Sequence, residues 1–137
     1  MLRVFLLTGV LLLQYFSVSS QDAAMPAAAA TAAAPASVDI AAGKTLFKNQ
    51  CASCHNKNMK DKLTGPALGG VQERWAAYPK EDLYSWIRNS QAMINSGHPR
   101  AVELWNEWKP TIMTSFTSLT DAEIDNILGY IQDVHVN

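Results

Sequence analysis

No segment of this 137-residue sequence alternates apolar and polar side chains over a strand's length, and no Asn-Gly or Asp-Gly pair marks a hairpin turn. A sheet-built domain is therefore not expected. Excess base is missing as well. Lys and Arg number 11 against 12 Asp and Glu, for a net charge of −1, and no basic stripe offers a nucleic-acid footprint. Cysteine is nearly absent. Its two occurrences, Cys51 and Cys54, sit in NQCASCHNKN with His55 immediately behind the second.

Helix signals fill the gap that strands leave. Ser37 reads as the N-cap of a helix to about Gln50, along which Ile40, Gly43 and Phe47 fall at i, i+3 and i+7. Glycine inside a helix costs about 1 kcal/mol relative to alanine, so close approach by another element is expected at Gly43. LTDAEIDNILGYIQDV opens with a capping box, Thr120 and Glu123, and carries Ile124, Ile127, Leu128 and Ile131 as one apolar stripe. Between these run a helix from about Pro79 to Gln91, with Pro79 in its first turn, and a shorter one from about Pro99 to Lys109. LTGPALGG reads as a loop. The expected class is all-α, with four to five helices.

The front of the chain has a different character. Arg3, the apolar run VFLLTGVLLL and the small residues of SVSSQ make residues 1–20 read as a secretory signal peptide. Cleavage is expected after Ser20, with Val18 and Ser20 at the −3 and −1 positions. The competing reading is a retained membrane anchor, but Thr8, Gly9 and Gln14 interrupt a run already short of the roughly 20 apolar residues a span requires. Residues 21–37, mostly Ala with Pro26 and Pro35, show no apolar face and read as a tether. The folded domain is expected over residues 38–137. A domain of roughly a hundred residues is marginal on side-chain packing alone, so something further is expected to fill its core.

Four uses compete for the cysteine pair. Structural zinc needs four ligands, and His98 and His135 are far from zinc-finger spacing. A thioredoxin-like redox pair belongs on a β-α-β framework that this sequence lacks. A bridge between the two would close too small a loop to stabilise much. The fourth use is C-x-x-C-H, the attachment site of c-type haem, in which two thiols bond to the porphyrin edge and the histidine reaches iron. An exported, all-helical domain suits that use best.

With these elements in place, the sequence resembles the monohaem class I cytochromes c from about Asp39 to Ile131. The resemblance rests on a first helix ending in CASCH, a GPAL loop, a methionine in IMTSF and a last helix introduced by LTDAEI. It implies the cytochrome c fold around one covalently attached haem c, with Cys51 and Cys54 as attachment points and His55 as an iron ligand. It also implies a close crossing of first and last helices at Gly43 and Tyr130, and a Pro66 carbonyl that accepts a hydrogen bond from His55. The family places its sixth ligand shortly before the last helix. That points to Met113, although Thr114 stands where the family usually has proline. Met93 remains the alternative, and Met59 lies too close to His55 in sequence. Trp86 and Arg88, on the helix that borders haem in this family, are the expected contacts of a haem propionate. The stretch from Asn95 to Pro110 exceeds what a minimal member needs and is expected to add a helix over one haem edge.

The implied function is one-electron transfer in a respiratory chain, with His/Met ligation and no enzymatic activity. The expected partners are redox proteins, a quinol-oxidising complex or a terminal oxidase. Residues 38–64 hold five lysines against two aspartates, whereas residues 101–137 hold one lysine against six carboxylates. Lysines near the attachment site are therefore placed to steer an acidic partner. The expected location is the periplasm, either free or held on a membrane complex by partners or by an uncleaved N-terminal segment. The alternative function is a peroxidase-like haem enzyme or gas sensor with an open sixth position.

Overall fold

The computed structural model describes residues 37–137. The expected signal peptide and, apart from Ser37, the expected tether lie outside them. Five helices follow in order: α1 (Ile40–Gln50), α2 (Val71–Trp75), α3 (Lys80–Asn95), α4 (Pro99–Trp108) and α5 (Asp121–Val136). No strand occurs among the described residues, and none of their helices is long and apolar enough to cross a membrane.

The N-cap of α1 lies two residues later than expected. Asp39, not Ser37, is the N-cap, and its carboxylate accepts the Ala42 N–H at 2.9 Å. Either side chain suits a cap, and Asp39 is fixed there by its own N–H, which donates to the side chain of Asn126 at 2.7 Å. α1 and α5 cross at Gly43, where an added Cβ would lie 1.9 Å from the Asn126 carbonyl oxygen. One turn along, the rings of Phe47 and Tyr130 pack with centroids 5.5 Å apart. The crossing thus uses the expected glycine and the expected aromatic, each against a different neighbour.

α5 carries its capping box as the sequence indicates. The Thr120 N–H donates to the Glu123 carboxylate at 2.8 Å, and the Glu123 N–H donates to the Thr120 hydroxyl at 3.3 Å. Ile124, Ile127, Leu128 and Ile131 are all buried. Pro79 stands one place outside α3 as its cap, and α3 runs four residues beyond the expected Gln91. α2 was not expected. It is only five residues long, too short for a periodic apolar pattern to register. Its Trp75, 4 % exposed, packs near Trp86 of α3 with ring centroids 5.9 Å apart.

Candidate haem site

The site begins where α1 ends. Cys51 caps the helix, and its carbonyl accepts the N–H groups of Cys54 at 3.1 Å and His55 at 3.0 Å. Those bonds wind CASCH into one tight turn, and Cys51, Cys54 and His55 come to line a single cavity. Burial, reinforced by neighbouring Cys54, pushes the Cys51 thiol up to about 11. It is protonated at neutral pH, the opposite of what a thioredoxin-type nucleophile requires.

His55 is buried, and its Nδ1 lies 2.9 Å from the Pro66 carbonyl oxygen. A carbonyl can only accept, so Nδ1 carries the proton and donates, leaving the Nε2 lone pair free. Burial lowers the His55 pKa, against the opposing pull of the Pro66 bond, and favours the neutral imidazole that binds metals. The Gly65 backbone lies against the ring. A Cβ there would stand 2.7 Å from Cε1, so only glycine permits this approach. Arg74 of α2 braces the same loop, donating to the carbonyls of Gly69 at 2.5 Å and Ala67 at 2.9 Å.

Met113 reaches the cavity from the segment between α4 and α5. A break in α3 holds that segment. Asn89 leaves the helical path (φ −158°, ψ 81°), and its side chain recaps the next turn by accepting the Ala92 N–H at 3.0 Å. The carbonyl of Arg88 accepts the Phe116 N–H at 3.0 Å. Ser90, 1 % exposed, donates its hydroxyl to the Met113 carbonyl at 3.2 Å. Met113 to Phe116 are thus pinned at both ends, which compensates for the missing proline at Thr114.

The remaining sequence candidates divide. Trp86 lines the cavity, as do all four tryptophans of the chain. Arg88, the other expected propionate contact, does not line it. Its Nε donates to the Leu119 carbonyl at 2.8 Å and its Nη2 to Asp121 at 2.5 Å. A carbonyl and a carboxylate at the entry to α5 take up the guanidinium before it can turn toward the cavity. Met59 and Met93 are buried in the core and do not line the cavity. His98 stacks on Trp75 with centroids 5.8 Å apart, and His135 packs against Gly69, so neither faces it.

The cavity measures about 620 Å³ and is mainly apolar, within the span of about 300–1,000 Å³ usual for small-molecule and cofactor sites. Two thiols, one neutral imidazole and one thioether are the donor set that suits covalent haem and its iron. Two side chains of its wall, Arg100 and Trp108, also carry buried N–H groups with no protein acceptor, Nε and Nε1. Sequence reading missed both, along with Arg74 and Ser90. The residues fit haem c. A zinc site fits poorly, because among the described residues no three His, Cys, Asp or Glu are placed to hold one metal ion.

The cytochrome c family model matches residues 40–135. Among solved structures, cytochrome c from Rhodothermus marinus is 28 % identical, with a TM-score of 0.58 over 71 % of this chain and 77 % of its own. An engineered form of that protein, bound to a carbene intermediate, is 26 % identical, with a TM-score of 0.55 over 72 % of this chain and 78 % of its own. No curated protein matches.

Proposed function

We propose that this chain, which belongs to the cytochrome c family, is a one-electron carrier whose single haem c is bonded to Cys51 and Cys54 and ligated by His55 and Met113. Haem, iron and electron transport come with the family. One observation carries the finer reading. Of the methionines in the described residues, Met113 alone shares the cavity wall with His55 and the two cysteines.

Bound haem supplies one-electron chemistry, its iron alternating between ferrous and ferric states. The protein does the rest. Pro66 fixes the His55 tautomer, Gly65 fixes the plane of its ring, and Ser90 holds the Met113 backbone in place. Four tryptophans and Ile127, Leu128 and Ile131 of α5 give the cavity an apolar wall. With haem bound, a Met113 thioether would raise its potential, and ligation by both His55 and Met113 would leave the iron no open site for a substrate.

The setting we propose is a periplasmic respiratory chain, with a quinol-oxidising complex and a terminal oxidase as partners. Exposed Lys57, Lys60 and Lys62 beside the attachment turn support a brief contact with an acidic surface. The competing reading is a haem enzyme with an accessible sixth position, and the engineered relative bound to a carbene intermediate keeps it open to test. Carbon monoxide added to the reduced protein at neutral pH separates the two. A carrier with Met113 bound refuses it or binds it slowly, whereas rapid binding favours the enzyme or gas sensor.

A further inference from the structure

His135 stands in the last turn of α5, off the cavity wall, and its imidazole lies on the backbone of Gly69. A Cβ added to Gly69 would come 2.2 Å from Nδ1, 2.7 Å from Cε1 and 2.8 Å from Cγ, so only glycine leaves the ring this room. Packing alone does not call for a histidine there. Its Nδ1 is buried with no hydrogen-bond partner, a cost that a wholly apolar ring would not carry. Gly69 is also the far end of the loop whose near end holds His55. The Gly69 N–H donates to the Met59 carbonyl at 2.8 Å, and Arg74 donates to the carbonyls of Gly69 and Ala67. On the near side, the Gly65 N–H donates to the Cys54 carbonyl at 2.8 Å. Pro66, the acceptor for His55 Nδ1, is thus held between fixed neighbours, and His135 covers the far one from α5.

A neutral ring suits this place, because its one proton can sit on Nε2 and leave Nδ1 bare. A protonated ring carries hydrogen on both nitrogens, and its Nδ1–H would be buried against Gly69 without an acceptor. Charged groups stand around it. Arg74 Nη1, Glu73 Oε2 and His135 Nε2 lie 3.4, 3.6 and 4.0 Å from the Cβ position of Gly70. Arg74 opposes a second cation there. Glu73 favours one, as do the C-terminal end of α5 and the exposed Asp133 on the same helix. The loop GPALGG brings no charge of its own. These charges set where the ring titrates, and the unmet N–H sets what titration does, which is to drive the ring off Gly69.

We infer that His135 is a positioning residue for His55: neutral, it holds the Pro66 loop in place from α5, and protonated, it releases that loop. The inference rests on the proposed haem c reading. A carbonyl that accepts from the free nitrogen of a ligating histidine raises the basicity of that ligand. Stronger donation to iron favours the ferric state and lowers the potential. Release of Gly69 loosens the Pro66 bond, so a proton on His135 raises the potential.

The test is spectroelectrochemical titration of the purified holoprotein over about pH 5 to 8, where imidazoles change charge. His135→Phe and Gly69→Ala are run beside wild type, and proton NMR of the ferric form follows the His55 ring in the same samples. In wild type the potential should fall as pH rises, with the His55 resonances moving along the same curve. His135→Phe keeps a flat ring on Gly69 but has no proton to gain. It should lose that fall and hold the potential of wild type at the alkaline end. Any slope the two proteins share belongs to other groups. Gly69→Ala leaves His135 titratable but expels its ring, and should lose the fall at the higher potential of the acid end. Were the proton on His135 only a nearby charge, Gly69→Ala would keep the wild-type slope, and that result would overturn the positioning role. A wild-type profile parallel to that of His135→Phe would overturn it too, and decides the matter if Gly69→Ala does not fold. Either outcome leaves haem attachment intact, whereas a wild-type protein without a covalent c-type haem chromophore would overturn both readings.

Discussion

The hydroxyl of Ser90 donates to the Met113 carbonyl at 3.2 Å, from a residue that is 1 % exposed. The bond joins the recapped second part of α3 to the segment that carries the proposed sixth ligand. A buried hydrogen bond of this kind contributes about 1 kcal/mol net. Ser90→Ala should therefore raise the population of a displaced Met113 segment about five-fold. Stopped-flow carbon monoxide binding to the reduced protein reads this directly. A rate equal to wild type would show that Ser90 does not hold the ligand.

Acid stability should depend in part on Asp125. Its Oδ1 lies 2.7 Å from Lys80 Nζ and accepts a hydrogen bond from the Tyr84 hydroxyl, tying α3 to α5. Burial raises the Asp125 pKa, but the bonds from Lys80 and Tyr84 outweigh it and hold the value below the ordinary 3.8. A depressed carboxylate pKa contributes stability that is complete above the ordinary value and is lost as pH falls through the lowered one. Lys80 is 56 % exposed, so screening limits its pair with Asp125 to about 1 kcal/mol or less. Denaturant midpoints between pH 5 and pH 2 should fall less steeply in Asp125→Asn than in wild type. The slope that remains belongs partly to Glu123, whose capping-box bonds to Thr120 also lower its pKa. An unchanged slope would remove Asp125 from the account.

Charge near the attachment turn should govern association rate. Lys57, Lys60 and Lys62 are exposed, and the latter two line the cavity. Replacing all three with Gln should slow electron transfer to an acidic redox partner by about ten-fold or more at low ionic strength. The difference should shrink as salt shortens the screening length to about 10 Å at 0.1 M. Equal rates at low salt would move the docking face elsewhere.

Much of this was legible in the sequence because it was written locally. The C-x-x-C-H spacing is set within one turn, the capping box of α5 within four residues, and the α1–α5 crossing by a glycine that a helix would otherwise avoid. What stayed hidden depends on which way long side chains turn. Arg88 and Arg100 are both arginines on amphipathic helices, and only packing decides that one meets Asp121 while the other lies on the cavity wall. The break at Asn89 was equally silent. Its helix carries no internal glycine or proline to announce it, and its purpose lies in a segment over 20 residues away, where Ser90 meets Met113.

His55 and Met113 line one cavity, and their proposed joint ligation of iron is most directly tested by the near-infrared absorption of the ferric protein. Wild type should show the weak band of methionine-ligated ferric haem. Met113→Ala should lose it while keeping the covalent haem, and Met93→Ala should retain it. A band that survives in Met113→Ala, or one absent from wild type, would contradict the assignment.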